Sequence, residues 1–166
     1  YNVKCEFYGD KAMKKSKEEL AGDIALSLGI LSQLYTTRMN KLLSEHGFTL
    51  SQFSVLSHCI RQSEENWTIS RLAKVMELNQ PGITKIVQKL LSRGLLSAEK
   101  DESDSRRKYL QVTPEGLAEL QSIYKSLAPD VTAWFTEWDS KMMENFNQHL
   151  ARLSTWLDKN RDVVGE

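Results

Sequence analysis

The sequence contains no long hydrophobic run, and its longest apolar stretches span only a few residues. A helix that crosses a bilayer needs about 20 consecutive apolar residues, and no signal-peptide pattern opens the chain. We therefore expect a cytoplasmic protein without a membrane partner. The 166 residues, 40% of them hydrophobic and 27% charged, suit one domain, or one compact domain plus an oligomerisation arm.

Cysteine and histidine are scarce, since the chain holds two Cys and three scattered His. Two cysteines set no metal-binding spacing, so we expect no metal and no cofactor. We interpret Cys5 and Cys59 as reduced thiols, and a thiol-based redox sensor stays open as an alternative. Gly-rich phosphate loops, Gly-x-Ser-x-Gly turns and histidine pairs are also missing, which indicates a binding protein rather than an enzyme.

The net charge is zero, but the charges are unevenly distributed. Residues 68–113 carry nine Lys and Arg against five Asp and Glu, and residues 114–166 carry five against nine. A basic segment inside a neutral chain favours a local anionic partner, although solvated basic faces are also common.

Helical periodicity marks the first part of the chain, from residue 17 to about residue 46. Gly47 ends this long helix, and Thr49 or Ser51 caps a second helix that contains Phe53 and Leu56. The apolar residues of the long helix recur in steps of three and four: Leu20, Ile24, Leu28, Leu31, Tyr35, Met39 and Leu42.

The middle of the chain predicts a helix-turn-helix followed by a β-hairpin. One short helix begins near Thr68; a second has Asn79 or Gln80 as its cap and Pro81 in its first turn, and ends at Arg93-Gly94. Alternating apolar residues then predict strands over 96–100 and 107–113. The segment DESDSRRKYL would contain the tip of this hairpin. This order is a winged helix, in which the second helix enters the DNA major groove.

The last part of the chain predicts two more amphipathic helices. Thr113 and Pro114 begin the first, whose apolar stripe runs to Trp138 with a kink at Pro129, and Asp139 or Ser140 caps the second. In a single chain much of this apolar surface would be exposed to solvent, so we expect a homodimer. A monomer that packs both helices on its own core is the alternative. The predicted dimer interface contains Leu20, Ile24, Leu127, Val131, Trp134, Phe146, Leu150, Leu153 and Leu157.

The predicted fold is therefore mainly α with a small β-hairpin wing. It has an N-terminal arm (1–16), a dimerisation helix (17–48), a winged helix-turn-helix domain (49–113) and C-terminal dimerisation helices (114–166). The exposed face of the recognition helix carries amide, hydroxyl and ammonium groups that suit base edges and phosphates. These residues are Gln80, Gly82, Thr84, Lys85, Gln88 and Lys89, joined by Thr68 and Ser70 on the preceding helix.

From Gly47 to Gly116 the chain resembles the MarR family of winged-helix regulators. The similarity covers the runs GFTLSQFSVL, TISRLAKVMELNQPGITKIVQKLLSRGLL and DESDSRRKYLQVTPEG, somewhat under half of the chain. Its most specific part is Asp-x-Arg in the wing, then a hydrophobic strand, then Thr-x-x-Gly. Asp104, Arg106, Leu110, Val112, Thr113 and Gly116 match this pattern.

The resemblance implies a homodimer that binds double-stranded DNA at a pseudo-palindromic operator and commonly represses transcription. Arg106 would enter the minor groove, Asp104 would brace the wing, and Arg107 and Lys108 would contact the backbone. A small aromatic or phenolic effector is also implied, although core packing explains the residues of its expected cleft equally well. The cleft for it would contain Tyr35, Met39, Phe53, Leu56 and His58. A winged helix that binds protein instead of DNA is the remaining alternative.

Overall fold

The computed structural model describes residues 15–61, 67–100 and 108–162, and these form helices and one two-stranded antiparallel hairpin. The chain divides into two compact units, Tyr1–Leu120 and Gln121–Glu166. The prediction of a mainly helical protein with a small hairpin is confirmed. The elements are α1 (Lys17–Ser44), α2 (Leu50–Arg61), α3 (Ile69–Val75), α4 (Gln80–Ser92), β1 (Leu96–Lys100), β2 (Lys108–Val112), α5 (Pro114–Ala133) and α6 (Ser140–Lys159).

Side-chain caps define where most of the helices begin. Ser16 and Glu19 form a reciprocal capping box at α1, and the Thr49 hydroxyl accepts a hydrogen bond from the backbone N–H of Gln52. Thr68, Asn79 and Asp139 cap α3, α4 and α6 in the same way. Each cap satisfies a backbone N–H that has no partner inside its helix.

Three helices of the first unit are followed by a residue in the left-handed backbone conformation. Gly47 follows α1 with φ 66° and Gly94 follows α4 with φ 71°, whereas Glu77 after α3 adopts φ 52° despite its side chain. Such a residue lets the next backbone N–H return to a carbonyl in the last helical turn. These bonds join Phe48 to Leu43, Leu78 to Ala73 and Leu95 to Leu90, each at 3.0 Å.

The core of the first unit lies where α2, α4 and the hairpin meet. Trp67 is its largest side chain and is only 1% exposed. The Trp67 carbonyl accepts a hydrogen bond from the Leu110 N–H at 2.8 Å, so this residue forms an isolated antiparallel bridge to β2. The other large, fully buried side chains of this unit are Leu43, Val55, Leu56, Leu72, Ile83, Val87 and Leu90.

The segment from Thr113 to Gly116 fixes the start of α5 against the turn that follows α4. The Thr113 hydroxyl donates to the Gly94 carbonyl at 2.7 Å and accepts from the Gly116 N–H at 3.0 Å. The Thr113 N–H donates to the Leu95 carbonyl at 3.2 Å. A Cβ atom on Gly116 would lie 2.1 Å from that same Leu95 oxygen, so only glycine fits here.

The second unit corrects one prediction. Helix α5 runs through Pro129 and ends at Ala133, so the expectation that it reaches Trp138 is wrong. Beyond Ala133 the backbone N–H groups bond three residues back, as Trp138 does to Phe135 at 3.0 Å. The aromatic rings stabilise this turn, because Trp138 lies 5.5 Å from the Phe135 ring and 5.2 Å from the Phe146 ring between centroids.

Helices α1 and α6 leave long rows of apolar side chains in solvent. Leu127 is buried within the chain and has little surface left for a partner subunit. Val131, Leu150 and Leu153 are half-buried. The exposed members are Leu20, Ile24, Leu26, Ile30, Leu31, Leu34 and Tyr35 on α1 and Met142, Met143, Phe146, Trp156 and Leu157 on α6. In the described part of the chain, none of the helices is both long and apolar enough to span a membrane.

We expect Gly116→Ala to destabilise the protein by about 3 kcal/mol, because the methyl group forces the Leu95 carbonyl away from the start of α5. Urea unfolding followed by circular dichroism measures this loss. Gly29→Ala is the matched control, since nothing lies within 4 Å of a Cβ atom at Gly29. In a helix interior that change should stabilise by up to about 1 kcal/mol. Equal stability of the two variants would contradict the close approach.

Candidate nucleic-acid interface

Helix α4 separates its apolar and polar residues onto two faces. Ile83, Val87 and Leu90 are buried. The opposite side exposes amides and ammonium groups and no carboxylate, with Thr84 half-buried at its edge. The exposed side chains are Gln80, Lys85, Gln88 and Lys89. This polar face is where the sequence predicted it.

The first turn of α4 explains its glycine in a way the sequence did not. The Asn79 side-chain oxygen accepts a hydrogen bond from the Gly82 N–H at 2.8 Å. A Cβ atom on Gly82 would lie only 3.0 Å from that oxygen. Gly82 therefore makes room for the cap of its own helix. The Thr84 hydroxyl donates to the Gln80 carbonyl at 2.8 Å, so its oxygen alone remains to accept from a ligand.

Helix α3 supports α4 from the side. The Gln80 amide donates to the Ser70 hydroxyl at 3.4 Å, which links the exposed ends of the two helices. The Thr68 hydroxyl is committed to capping, since it accepts from the Arg71 N–H at 3.2 Å. Arg71 itself is exposed, and its guanidinium lies 5.0 Å from the centre of the Trp67 ring. Sequence reasoning missed Arg71, although its position one residue after Ser70 was the available signal.

The hairpin pairs two lysines at the end of its strands that adjoins residues 101–107. In the antiparallel register, Lys100 on β1 lies directly opposite Lys108 on β2, and both are exposed. Like charges at facing positions repel, so this pair costs hairpin stability unless an anion lies beside it. Lys100 was missed from the sequence because the strand register was not fixed there. Asp104, Arg106 and Arg107 lie outside the described residues.

Positive charge predominates on the described part of α3, α4 and the hairpin. Glu99 is one of the acids present, and its carboxylate accepts from the Gln111 amide at 3.3 Å across the strands. A surface of this composition attracts anions such as phosphate. The exposed charged residues are Arg71, Lys74, Lys85, Lys89, Lys100 and Lys108 against Glu77 and Glu99.

Comparison with known proteins identifies this arrangement. Residues 46–107, from the end of the first helix into the wing, match the family profile described as the MarR family. Over these residues the chain is similar to the MarR family. The match ends before Thr113 and Gly116, so the contact at the start of α5 is established by the geometry alone.

Other known proteins are similar to the chain over most of its length. The HTH-type transcriptional repressor MdtR of Bacillus subtilis (strain 168) is 24% identical over 148 residues, which cover 87% of this chain and 94% of the repressor. A MarR-family transcriptional regulator from Rhodococcus sp. RHA1 shares the fold with a TM-score of 0.70 at 22% identity, over 81% of this chain and 94% of that one. A structure of the S. aureus MepR-DNA complex aligns with a TM-score of 0.65 at 15% identity, over 80% of this chain and 96% of that one.

Cys59 is a buried cysteine on α2. It is 4% exposed, as expected for a small apolar side chain. Burial raises the pKa of the Cys59 thiol to about 12, because the thiolate would lose its hydration. The thiolate is the form that reacts with oxidants, so this environment disfavours a redox role for Cys59. Cys5 lies outside the described residues.

The residues predicted to hold an effector are dispersed between core and surface. Met39, Phe53 and Leu56 are buried, Tyr35 is 44% exposed, and His58 is half-buried with its ring 6.4 Å from that of Trp67. A cavity of about 670 Å³ has Trp67 in its lining and none of these five residues. The cavity is lined by Cys59, Ile60, Trp67, residues 109–114 and Leu117. The effector site stays a prediction.

We expect Lys100→Glu to stabilise the hairpin by roughly 0.5 kcal/mol, because it replaces a repulsive facing pair with an attractive one. The free energy of unfolding in urea at low salt measures the gain, which should shrink in 1 M salt. Lys108→Glu should do the same, and the double variant should lose the benefit because two like charges face each other again. A double variant as stable as either single one would contradict the register.

We expect Cys59 to react with iodoacetamide on the order of a thousandfold more slowly in the native protein than in the urea-unfolded chain at pH 8. The raised thiol pKa of about 12 causes this protection, which should be lost as the pH rises toward that value. A Cys5→Ser background isolates the signal in mass spectrometry. Comparable native and unfolded rates would show that the thiol is accessible and ionised.

Proposed function

We propose that the chain is a sequence-specific DNA-binding transcriptional regulator that acts as a homodimer on a pseudo-palindromic operator. The observation that carries this proposal is the exposed face of α4, which presents amides and ammonium groups without a carboxylate. This helix is followed directly by a hairpin that holds two facing lysines, Lys100 and Lys108. The MepR protein of S. aureus, which shares this fold, has been solved in complex with DNA.

The chemistry of α4 suits the major groove of B-form DNA. A glutamine amide both donates and accepts, so Gln88 can pair with the adenine edge, and the Lys85 ammonium can donate to guanine. These two residues stand one turn apart and therefore face the same side of the helix. Thr84 beside them can only accept through its oxygen, because its proton is already bound within the helix.

The hairpin suits the DNA backbone. Phosphates placed beside Lys100 and Lys108 would remove the repulsion between the two ammonium groups, so binding and hairpin stability would rise together. We propose that Arg106 enters the adjacent minor groove with Asp104 as its brace, as the family resemblance implies. Arg107 is proposed as a further backbone contact.

The apolar rows on α1 and α6 support the homodimer. An exposed row such as Leu20, Ile24 and Leu31 is costly in water, and a second copy of the chain is the partner that covers both rows symmetrically. A dimer places two α4 helices on one duplex, which matches two half-sites roughly 34–36 Å apart. The relative MdtR is named a repressor, and we propose repression here as well.

Two alternatives are less well supported, whereas a response to an effector is part of the proposal. A protein-binding winged helix favours an apolar or acidic α4 face, and this face is neither. Catalysis finds no support among the named relatives, which are transcriptional regulators. An effector-responsive form is compatible with the cavity beside Trp67, and a phenolic ligand that lowers DNA affinity would establish it. Action on genomic DNA agrees with the expected cytoplasmic location.

The test compares variants that touch bases with variants that touch phosphates. Duplexes selected by the wild-type protein from a randomised library serve as the probe. Lys85→Ala and Gln88→Ala should change base preference at individual positions by about 1–3 kcal/mol. Lys100→Glu and Lys108→Ala should weaken binding to all duplexes alike and reduce its salt dependence. Arg106→Ala should weaken binding severely while helical content stays the same.

Two results bear directly on the alternatives. If the wild-type protein selects no duplex, the DNA-binding proposal fails and the protein-binding module becomes the better reading. If Lys85→Ala and Gln88→Ala act equally on every duplex, then α4 contacts phosphates only and does not read sequence. Glu115→Gln on the exposed first turn of α5 is the control, and it should leave affinity unchanged.

A further inference from the structure

The turn that follows α4 is the place where three parts of the first unit meet. Arg93 caps the C-terminus of α4, and the Gly94 and Leu95 carbonyls beside it bind the start of α5 through Thr113. The Arg93 side chain contacts both Glu119 on α5 and the residues that follow α1. A change in the angle between α4 and either α1 or α5 would therefore change the contacts of this turn.

The guanidinium of Arg93 contacts three partners at once. Its Nη1 donates to the Gly47 carbonyl at 3.0 Å, and its Nη2 lies 3.4 Å from Oε1 of Glu119. Its central carbon lies 4.1 Å from the centre of the Phe48 ring. A planar fork can use two edges for acceptors and its face for an aromatic ring, which a lysine cannot do.

Partial burial makes these contacts specific rather than incidental. The side chains of Arg93 and Glu119 are 26% and 35% exposed, and Phe48 is buried. A fully exposed ion pair contributes little and is easily exchanged for water. Here the ring and the backbone carbonyl fix the guanidinium independently of the carboxylate, so the geometry does not depend on one weak pair.

We propose that Arg93 is a positioning residue that holds α4 at a fixed angle to α1 and to the first turns of α5, and thereby sets the half-site spacing that the homodimer accepts. The inference rests on the proposed function, since it assumes that α4 reads DNA. Helix α1 carries the exposed apolar row that the dimer would bury, so the angle between α1 and α4 determines how far apart the two α4 helices stand. Arg93 acts on DNA recognition through these helices, while its own side chain is occupied within the protein.

The test separates recognition of one half-site from the distance between two. Duplexes selected by the wild-type protein are rebuilt with base pairs added or removed between the half-sites, and a duplex with a single half-site is included. Arg93→Ala should keep the single half-site affinity, while its preference for the best spacing over two added base pairs should fall at least about fivefold. Arg93→Lys should lose less of the spacing preference, because lysine keeps the positive charge but not the planar guanidinium.

Matched variants keep the test decisive if Arg93→Ala folds poorly. Glu119→Gln removes one of the three contacts and should relax the spacing preference partially. Glu115→Gln, one turn earlier on the same helix, should leave it unchanged. Circular dichroism and sedimentation confirm that each variant keeps its helical content and its assembly.

The outcomes are distinct. A spacing profile that is identical in wild type, Arg93→Lys and Glu119→Gln overturns the proposal. A loss that falls equally on the single half-site and on every spacing also overturns it, since it shows a local folding defect or a direct DNA contact. If the wild-type protein binds no duplex, the proposed function itself has failed.

Discussion

The carbonyl oxygen of Leu95 is the point on which the arrangement of the first unit depends. It accepts the Thr113 N–H at 3.2 Å and leaves no room for a side chain at Gly116. Because Leu95 also closes the end of α4, this one backbone position joins that helix, the hairpin and the start of α5. The polar face of α4 and the paired lysines of the hairpin therefore keep a fixed relation to each other.

Local chemistry made much of this fold predictable. Helix α4 has its apolar face, its Asn79 cap, Pro81 in the first turn and Gly94 at its end, so every local signal agrees. The hairpin strands were placed within a residue of their observed bounds by alternation alone. These signals act over a few residues, which is why a single sequence reveals them.

Long-range contacts were not predictable in the same way. Nothing near Trp67 indicated that its backbone would form a bridge to the hairpin, because that pairing depends on Leu110, which is distant in sequence. Lys100 was missed for a similar reason, since only the register places it opposite Lys108. The early end of α5 at Ala133 follows from an aromatic cluster with Phe146, a residue of the next helix.

The same limits apply to the roles of individual side chains. Gly82 was predicted as part of the DNA-binding face, and the structure adds that it accommodates the Asn79 cap. Arg93 gave no functional signal in the sequence, yet it links the end of α4 to Gly47, Phe48 and Glu119. Residues that bind a partner directly can be recognised by type, but residues that position others require coordinates.

Methylation interference on a duplex selected by the wild-type protein tests whether two α4 helices bind in the major groove. Methyl groups at guanine N7 lie in the major groove, where we propose that α4 binds. A homodimer that binds through α4 should give two sets of interfering guanines, about 10 base pairs apart between their centres and related by its two-fold symmetry. A single set, or binding that methylation does not affect, would contradict this mode of binding.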